Sequence, residues 1–188
     1  MIKIGILGDI GSGKTFISNL FGYPVFSADK EIVKIYKNNK NCFFKLNKKF
    51  PNFINKFPVN KNDIISLILK NKKNIEKIGK IVHPYVHKEL KSFLKKNKKK
   101  IVILDIPLLL ENKITMPGLI YIFIDTKKKD IVKNLLKRPK FDKKLYNIMK
   151  ENQLPLSYKK RKSRFIIKNN FINKNFLKEI KEIKKQII

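Results

Sequence analysis

Apolar and polar positions along the chain change period several times. Ile2–Leu7 is a short apolar run broken only by Lys3 and Gly5, as expected of a strand buried in a parallel sheet. Lys14–Phe21 predicts a helix, ended by Gly22 and Pro24, and Val25–Ser27 predicts a second strand closing on Asp29. From Lys30 to about Lys100 the spacing is mostly helical. Ile64, Ile65, Leu67, Ile68 and Leu69 fall in one helix, and Val86, Leu90, Phe93 and Leu94 in another. Ile101–Asp105 and Leu119–Asp125 read as core strands, with helices around Asp130–Leu136 and Asp142–Glu151. Phe165–Lys168 reads as a last strand and Phe176–Ile187 as a final amphipathic helix. Strands alternating with helices predict an α/β fold whose parallel sheet is covered on both faces. The helical stretch between the second and third strands is large enough to build a substrate-binding insertion.

Composition changes this picture in one respect. A chain of 188 residues with 43% apolar residues and 14 phenylalanines supports one domain with a proper core. Its 45 Lys+Arg against 14 Asp+Glu give a formal charge of +31, which raises nucleic acid or an acidic membrane as partners. Only three of those basic residues are arginine (Arg138, Arg161, Arg164), while Lys, Asn, Ile and Phe dominate everywhere. The basic runs carry no interleaved aromatics. A compositional bias toward lysine therefore accounts for the charge better than nucleic-acid binding does, although the field still favours polyanionic substrates. The one cysteine, Cys42, excludes an internal disulfide and a cysteine-based zinc site, and fits a reducing cytoplasm. No stretch approaches the ~18 uninterrupted apolar residues of a membrane span, and no secretory leader pattern opens the chain. The expectation is a soluble, cytoplasmic protein, with a monomer favoured.

The chemistry begins at residues 8–15, G-D-I-G-S-G-K-T. Gly8, Gly13, Lys14 and Thr15 fit G-x-x-x-x-G-K-[ST], and the stretch follows a predicted strand and opens a predicted helix, the context a phosphate-binding P-loop requires. Successive backbone N–H groups and a helix start converge on the phosphates. Gly11 and Gly13 permit left-handed turns. Lys14 would reach the β/γ-phosphates and the Thr15 hydroxyl would ligate Mg²⁺. The pattern alone says phosphate and no more.

Other candidates carry two readings each. Asp29, past the second strand, could orient or deprotonate an attacking hydroxyl or help hold Mg²⁺, or could cap a helix starting at Lys30. Asp105 ends a hydrophobic strand as a Walker-B acid does, or is a turn residue before Pro107. His83, preceding Pro84, is more simply a structural histidine. Arg138, at the end of a helix, could stabilise a transferring phosphoryl group or sit on a solvated basic face.

Taken together, four stretches make the chain resemble the dephospho-coenzyme A kinase family: G-D-I-G-S-G-K-T (8–15), F-S-A-D (26–29), V-H-P-Y-V (82–86) and L-D-I-P-L-L-L-E-N (104–112). A weaker match runs from Gln153 to Ile166-Ile-Lys-Asn-Asn170. The resemblance implies a P-loop NTPase-like three-layer fold with a core (1–29, 101–126, 154–188), a CoA-binding helical insertion (about 30–100) and a lid (about 127–153). It implies transfer of the ATP γ-phosphate to the ribose 3′-hydroxyl of dephospho-CoA, with Mg²⁺. By position, Asp29 matches the acid at that hydroxyl. Ile10, Gly11, Ser12, Gly13, Lys14, Thr15 and Phe16 match the ATP loop, and Arg138 the lid arginine. His83, Pro107, Leu108 and Glu111 match the acceptor side, and Asn169 or Asn170 a position near the adenine. Asp105 would join Thr15 at the metal. The alternatives are another small-molecule or nucleotide P-loop kinase, or a nucleic-acid-binding ATPase. Several positions depart from the family pattern: Leu7 and Asp9 replace a common threonine and glycine, Pro139 follows the lid arginine, and Lys159 replaces an expected arginine. Asp9 tolerates the left-handed region better than most residues, so the turn can survive the exchange, but it brings a negative charge beside the phosphates.

Overall fold

The computed structural model describes residues 1–98, 100–139, 141–171 and 175–187. Among these the order is β1 (Lys3–Gly8), α1 (Lys14–Leu20), β2 (Val25–Ser27), α2 (Ala28–Asn38), α3 (Lys40–Lys49), α4 (Lys61–Lys70) and α5 (Asn74–Lys96). There follow β3 (Val102–Asp105), β4 (Leu119–Asp125), α6 (Lys128–Leu136), α7 (Lys143–Glu151), α8 (Leu156–Lys162), β5 (Phe165–Lys168) and α9 (Asn175–Ile187). The five strands form one sheet in the order β2-β3-β1-β4-β5, every pair parallel. β1 and β3 are buried along their whole length, which is why both read as apolar runs without alternation.

The chain divides into two compact units, one made of 1–27, 97–141 and 152–188 and the other of 28–96 and 142–151. The sheet unit is built around Ile4, Ile6, Ile17, Phe21, Ile103, Ile122, Ile124 and Ile167, with Phe176, Ile180, Ile183 and Ile187 of α9 packed on the same cluster. The 3–4 spacing of those α9 residues is the helical period that made its apolar face legible. Lys3, a charge inside a buried strand, places its ammonium on the Pro117 carbonyl at 2.6 Å.

In the helical unit α2, α3 and α4 pack on the 23-residue α5, and α4 also meets α7. Asn39 caps α3 by accepting from the Cys42 N–H at 2.9 Å. Buried Asn74 ties the start of α5 to the Leu67 carbonyl at 2.9 Å. The Cys42 thiol is fully buried, and burial pushes its pKa up to about 11, so it serves packing and not nucleophilic chemistry.

Two elements differ from the sequence reading. Helix α2 starts at Ala28, so Asp29 lies inside its first turn beside Glu31 and does not cap it from outside; carboxylates there suit the helix dipole. The basic segment Lys159–Lys162 belongs to α8, whose apolar spacing is obscured because Lys159 itself is the residue turned inward.

Phe21 is completely buried at the end of α1. Phe21→Ala should cost about 3–5 kcal/mol, read as a lowered denaturant midpoint with an unchanged slope.

Candidate active site

Because all five strands run the same way, their C-terminal ends open on one edge, where ligands of such sheets bind. Gly8, Asp105, Asp125 and Lys168 end β1, β3, β4 and β5 there, and Ser27 ends β2 in register with Asp105. The loop 8–15 leaves β1 at this edge. Gly11 (φ 83°) and Gly13 (φ 90°) hold left-handed conformations. At Gly13 a Cβ would also lie 2.5 Å from the Asn169 Nδ2, so glycine is required on both counts.

The positive φ angles of the loop fall on Gly8, Gly11 and Gly13, so the turn does not call on the left-handed tolerance of Asp9. Asp9 instead organises the loop. Its carboxylate accepts from the Ile10 N–H at 2.7 Å, and its carbonyl accepts from the Ser12 N–H at 3.2 Å and from the Lys14 ammonium at 2.7 Å. Lys14 thus rests against the loop's own carbonyls, reaching that of Gly8 at 3.4 Å as well. Helix α1 starts at Lys14 with no side-chain cap and no acid in its first turn, which leaves its first N–H groups oriented for an anion. The Ser12 hydroxyl is buried without a partner among the described residues. Ile10 is half-buried, and Phe16 is exposed, its ring edge-on to Phe176 at 5.7 Å.

The Thr15 hydroxyl donates to the Asp105 carboxylate at 2.6 Å, across 90 residues of sequence. A hydroxyl and a carboxylate side by side next to a phosphate cradle are hard oxygen donors of the kind Mg²⁺ takes together with water and phosphate oxygens. No cluster of three or more His, Cys, Asp or Glu able to hold a metal occurs among the described residues, and a site of this type does not need one.

Three side chains brace the loop from outside. Asn169, buried, donates to the Ser12 carbonyl at 2.9 Å and accepts from the Phe171 N–H; Thr126 donates to the same carbonyl at 3.1 Å; Asn134 of α6 donates to the Gly11 carbonyl at 3.0 Å. Sequence reasoning missed Thr126 and Asn134. Thr126 directly follows a strand end at the ligand edge, a signal that was present; Asn134 gives none, being one polar residue on an amphipathic helix. Arg138 lies just beyond α6, exposed, with its N–H on the Leu135 carbonyl at 3.0 Å.

After β3 the chain turns through the half-buried Pro107 and Leu108 to Glu111. The Glu111 carboxylate makes an ion pair with Lys159 at 2.6 Å, Lys159 being 1% exposed and Glu111 9%. The same oxygen accepts from the Leu154 N–H at 3.0 Å, and the second oxygen is buried without a partner among the described residues. The lysine that departs from the family pattern is therefore the counter-charge of a buried acid.

The helical unit carries the other candidates. Asp29 is exposed in the first turn of α2, two residues past the end of β2. His83, half-buried within α5 against Gly79, stacks at 6.4 Å on His87. Burial, and secondarily the neighbouring His87, hold its pKa below the ordinary 6.5.

A parallel sheet in this strand order, carrying a glycine-rich loop, an invading lysine and a Thr–Asp pair at one edge, defines a P-loop phosphotransferase. A family model for dephospho-CoA kinase matches residues 2–174. The chain belongs to the dephospho-CoA kinase family. A dephospho-CoA kinase of Wolbachia sp. subsp. Brugia malayi (strain TRS) is 31% identical over 186 residues, 96% of this chain and 95% of the relative. One of Zymomonas mobilis subsp. mobilis is 32% identical over 174 residues, 90% and 88% of the two chains. Among solved structures, TT1252 from Thermus thermophilus shares the fold at a TM-score of 0.80 and 22% identity, over 100% of this chain and 98% of that one. The dephospho-CoA kinase from Campylobacter jejuni does so at 0.63 and 24%, over 98% and 96%.

Two expectations follow from these contacts. Lys159→Met removes the counter-charge and leaves Glu111 buried, at a cost of about 3–5 kcal/mol; the double variant Lys159→Met/Glu111→Gln should recover most of the denaturant midpoint. For His83, folding depresses the pKa, so its contribution to stability is complete above about pH 6.5 and is lost as pH falls through its folded value. His83→Gln should flatten the fall in stability below pH 6.5, measured by urea titrations across pH.

Proposed function

We propose that this protein transfers the γ-phosphoryl group of ATP to the ribose 3′-hydroxyl of dephospho-CoA, releasing CoA and ADP in the cytoplasm as the last step of coenzyme A formation. The observation that carries this reading is the Thr15–Asp105 hydrogen bond beside the glycine loop, in a chain that matches the dephospho-CoA kinase family nearly end to end. Thr15 and Asp105 would hold Mg²⁺, and the ion would supply positive charge against the phosphates. The residues of the chain do the rest by positioning. The N–H groups of the loop and of the first turn of α1 bind the phosphates. Lys14 leaves the Asp9 and Gly8 carbonyls for the phosphate oxygens, a stronger, charged acceptor.

Asp29 is the acid for the acceptor. In the chain it lies two residues beyond Ser27, the register partner of Asp105. Its carboxylate takes the 3′-hydroxyl proton as the new oxygen–phosphorus bond forms and the bond to the ADP oxygen breaks. Arg138 stabilises charge on the transferring group, its planar fork matching two phosphoryl oxygens. Asn169, at Gly13, borders the adenine end, and His83, Pro107, Leu108 and Glu111 line the acceptor side. The domain roles follow: sheet unit for ATP, helical segment 30–100 for the CoA moiety, and 127–153 as lid. No helix among the described residues is long and apolar enough to cross a membrane.

A coupled ADP-release assay tests the reaction. Dephospho-CoA should support turnover and adenosine monophosphate should not; equal use of both would overturn the assignment. Asp29→Asn should lower kcat by at least about 100-fold with ATP binding retained, and Lys14→Ala should abolish turnover. Near-parental kcat in Asp29→Asn removes this residue from the reaction.

A further inference from the structure

A peptide unit points its N–H and its C=O in opposite directions, so holding one aims the other. Two consecutive peptides of the loop are held in this way by side chains from elsewhere in the sheet unit. In the peptide joining Gly11 and Ser12, the carbonyl accepts from Asn134 Nδ2 at 3.0 Å while the N–H donates to the Asp9 carbonyl at 3.2 Å. In the peptide joining Ser12 and Gly13, the carbonyl accepts from both Thr126 Oγ1 at 3.1 Å and Asn169 Nδ2 at 2.9 Å. Its N–H, on Gly13, points the other way, which on the reading that the loop binds ATP is the phosphate side.

Both peptides adjoin a glycine, and a glycine-flanked peptide can turn over at little steric cost because glycine occupies positive and negative φ about equally. A turned peptide would present a carbonyl oxygen to the phosphates in place of an N–H. We propose that Asn134 and Thr126 are positioning residues for ATP, which prevent these two peptides from turning over and so keep the Gly13 N–H aimed at the phosphates. Asn134 can do this because α6 is seated on the loop: Ile131 and Leu135 approach Gly11 so closely that a Cβ there would lie 3.2 and 2.9 Å from them. Helix α6 thus sets the conformation of the phosphate loop while touching it only from its outer side.

The inference rests on the reading that the loop binds ATP, and the test separates the two. Equilibrium calorimetry with ADP is combined with KM values for ATP and for dephospho-CoA. Each of Thr126→Val, which is isosteric, and Asn134→Ala should weaken ADP binding about fivefold. The double variant should weaken it by roughly the product. Asn134→Asp, which sets an acceptor against a carbonyl, should be worse than Asn134→Ala. KM for dephospho-CoA and the melting temperature should stay near parental values. ADP affinity within about twofold of the parent in the folded double variant overturns the proposal. So does a matching rise in KM for dephospho-CoA, or a loss of ADP affinity that only follows a fall in melting temperature. Failure of the parent protein to bind ADP would overturn the ATP reading itself.

Discussion

A phosphate cradle must point several backbone N–H groups inward before any phosphate arrives, and the carbonyls turned outward by that arrangement need partners of their own. Nearly every feature of this site meets that requirement. Asp9 takes the Ile10 and Ser12 N–H groups, so that part of the loop is closed on itself. Asn134, Thr126 and Asn169 take the carbonyls of Gly11 and Ser12. Lys14 donates to the carbonyls of Gly8 and Asp9. The result is a loop held in one conformation by the chain's own groups, and such fixing lowers the ordering cost of binding.

The parallel sheet makes this possible. Its order β2-β3-β1-β4-β5 puts β1, which carries the loop, between β3, which carries Asp105, and β4, which leads to Thr126 and α6. The Thr15–Asp105 pair and the outer braces therefore flank the loop from opposite sides. The apolar cluster beneath, Ile4, Ile6, Ile103, Ile122 and Ile124, makes these strand ends rigid, and rigid elements hold a site more accurately than loops alone.

Asp9 shows how a departure from a family pattern can be absorbed. A carboxylate near phosphates raises an electrostatic objection, yet here it replaces conformational freedom with a fixed hydrogen bond to its own following N–H. Lys159 shows the same principle in another place. Exchanging one cation for another keeps the charge that Glu111 requires in a buried setting, and the 2.6 Å contact shows that lysine reaches it.

Local pattern in the sequence determined most elements. Apolar runs without alternation marked the buried parallel strands, and the 3–4 spacing of Phe176, Ile180, Ile183 and Ile187 marked α9. The phosphate loop was legible because its chemistry depends on residues consecutive in the chain. Asp105 was legible as a candidate because a strand end is a local feature, although its partner, Thr15, lies 90 residues away. What the tertiary structure alone decided are the contacts between residues remote in the chain: Asn134 on Gly11, Lys159 on Glu111, and Asn169 beneath Ser12. A polar side chain on a helix has the same local signature whether it faces water or a carbonyl, and only folding supplies the partner that gives it a role.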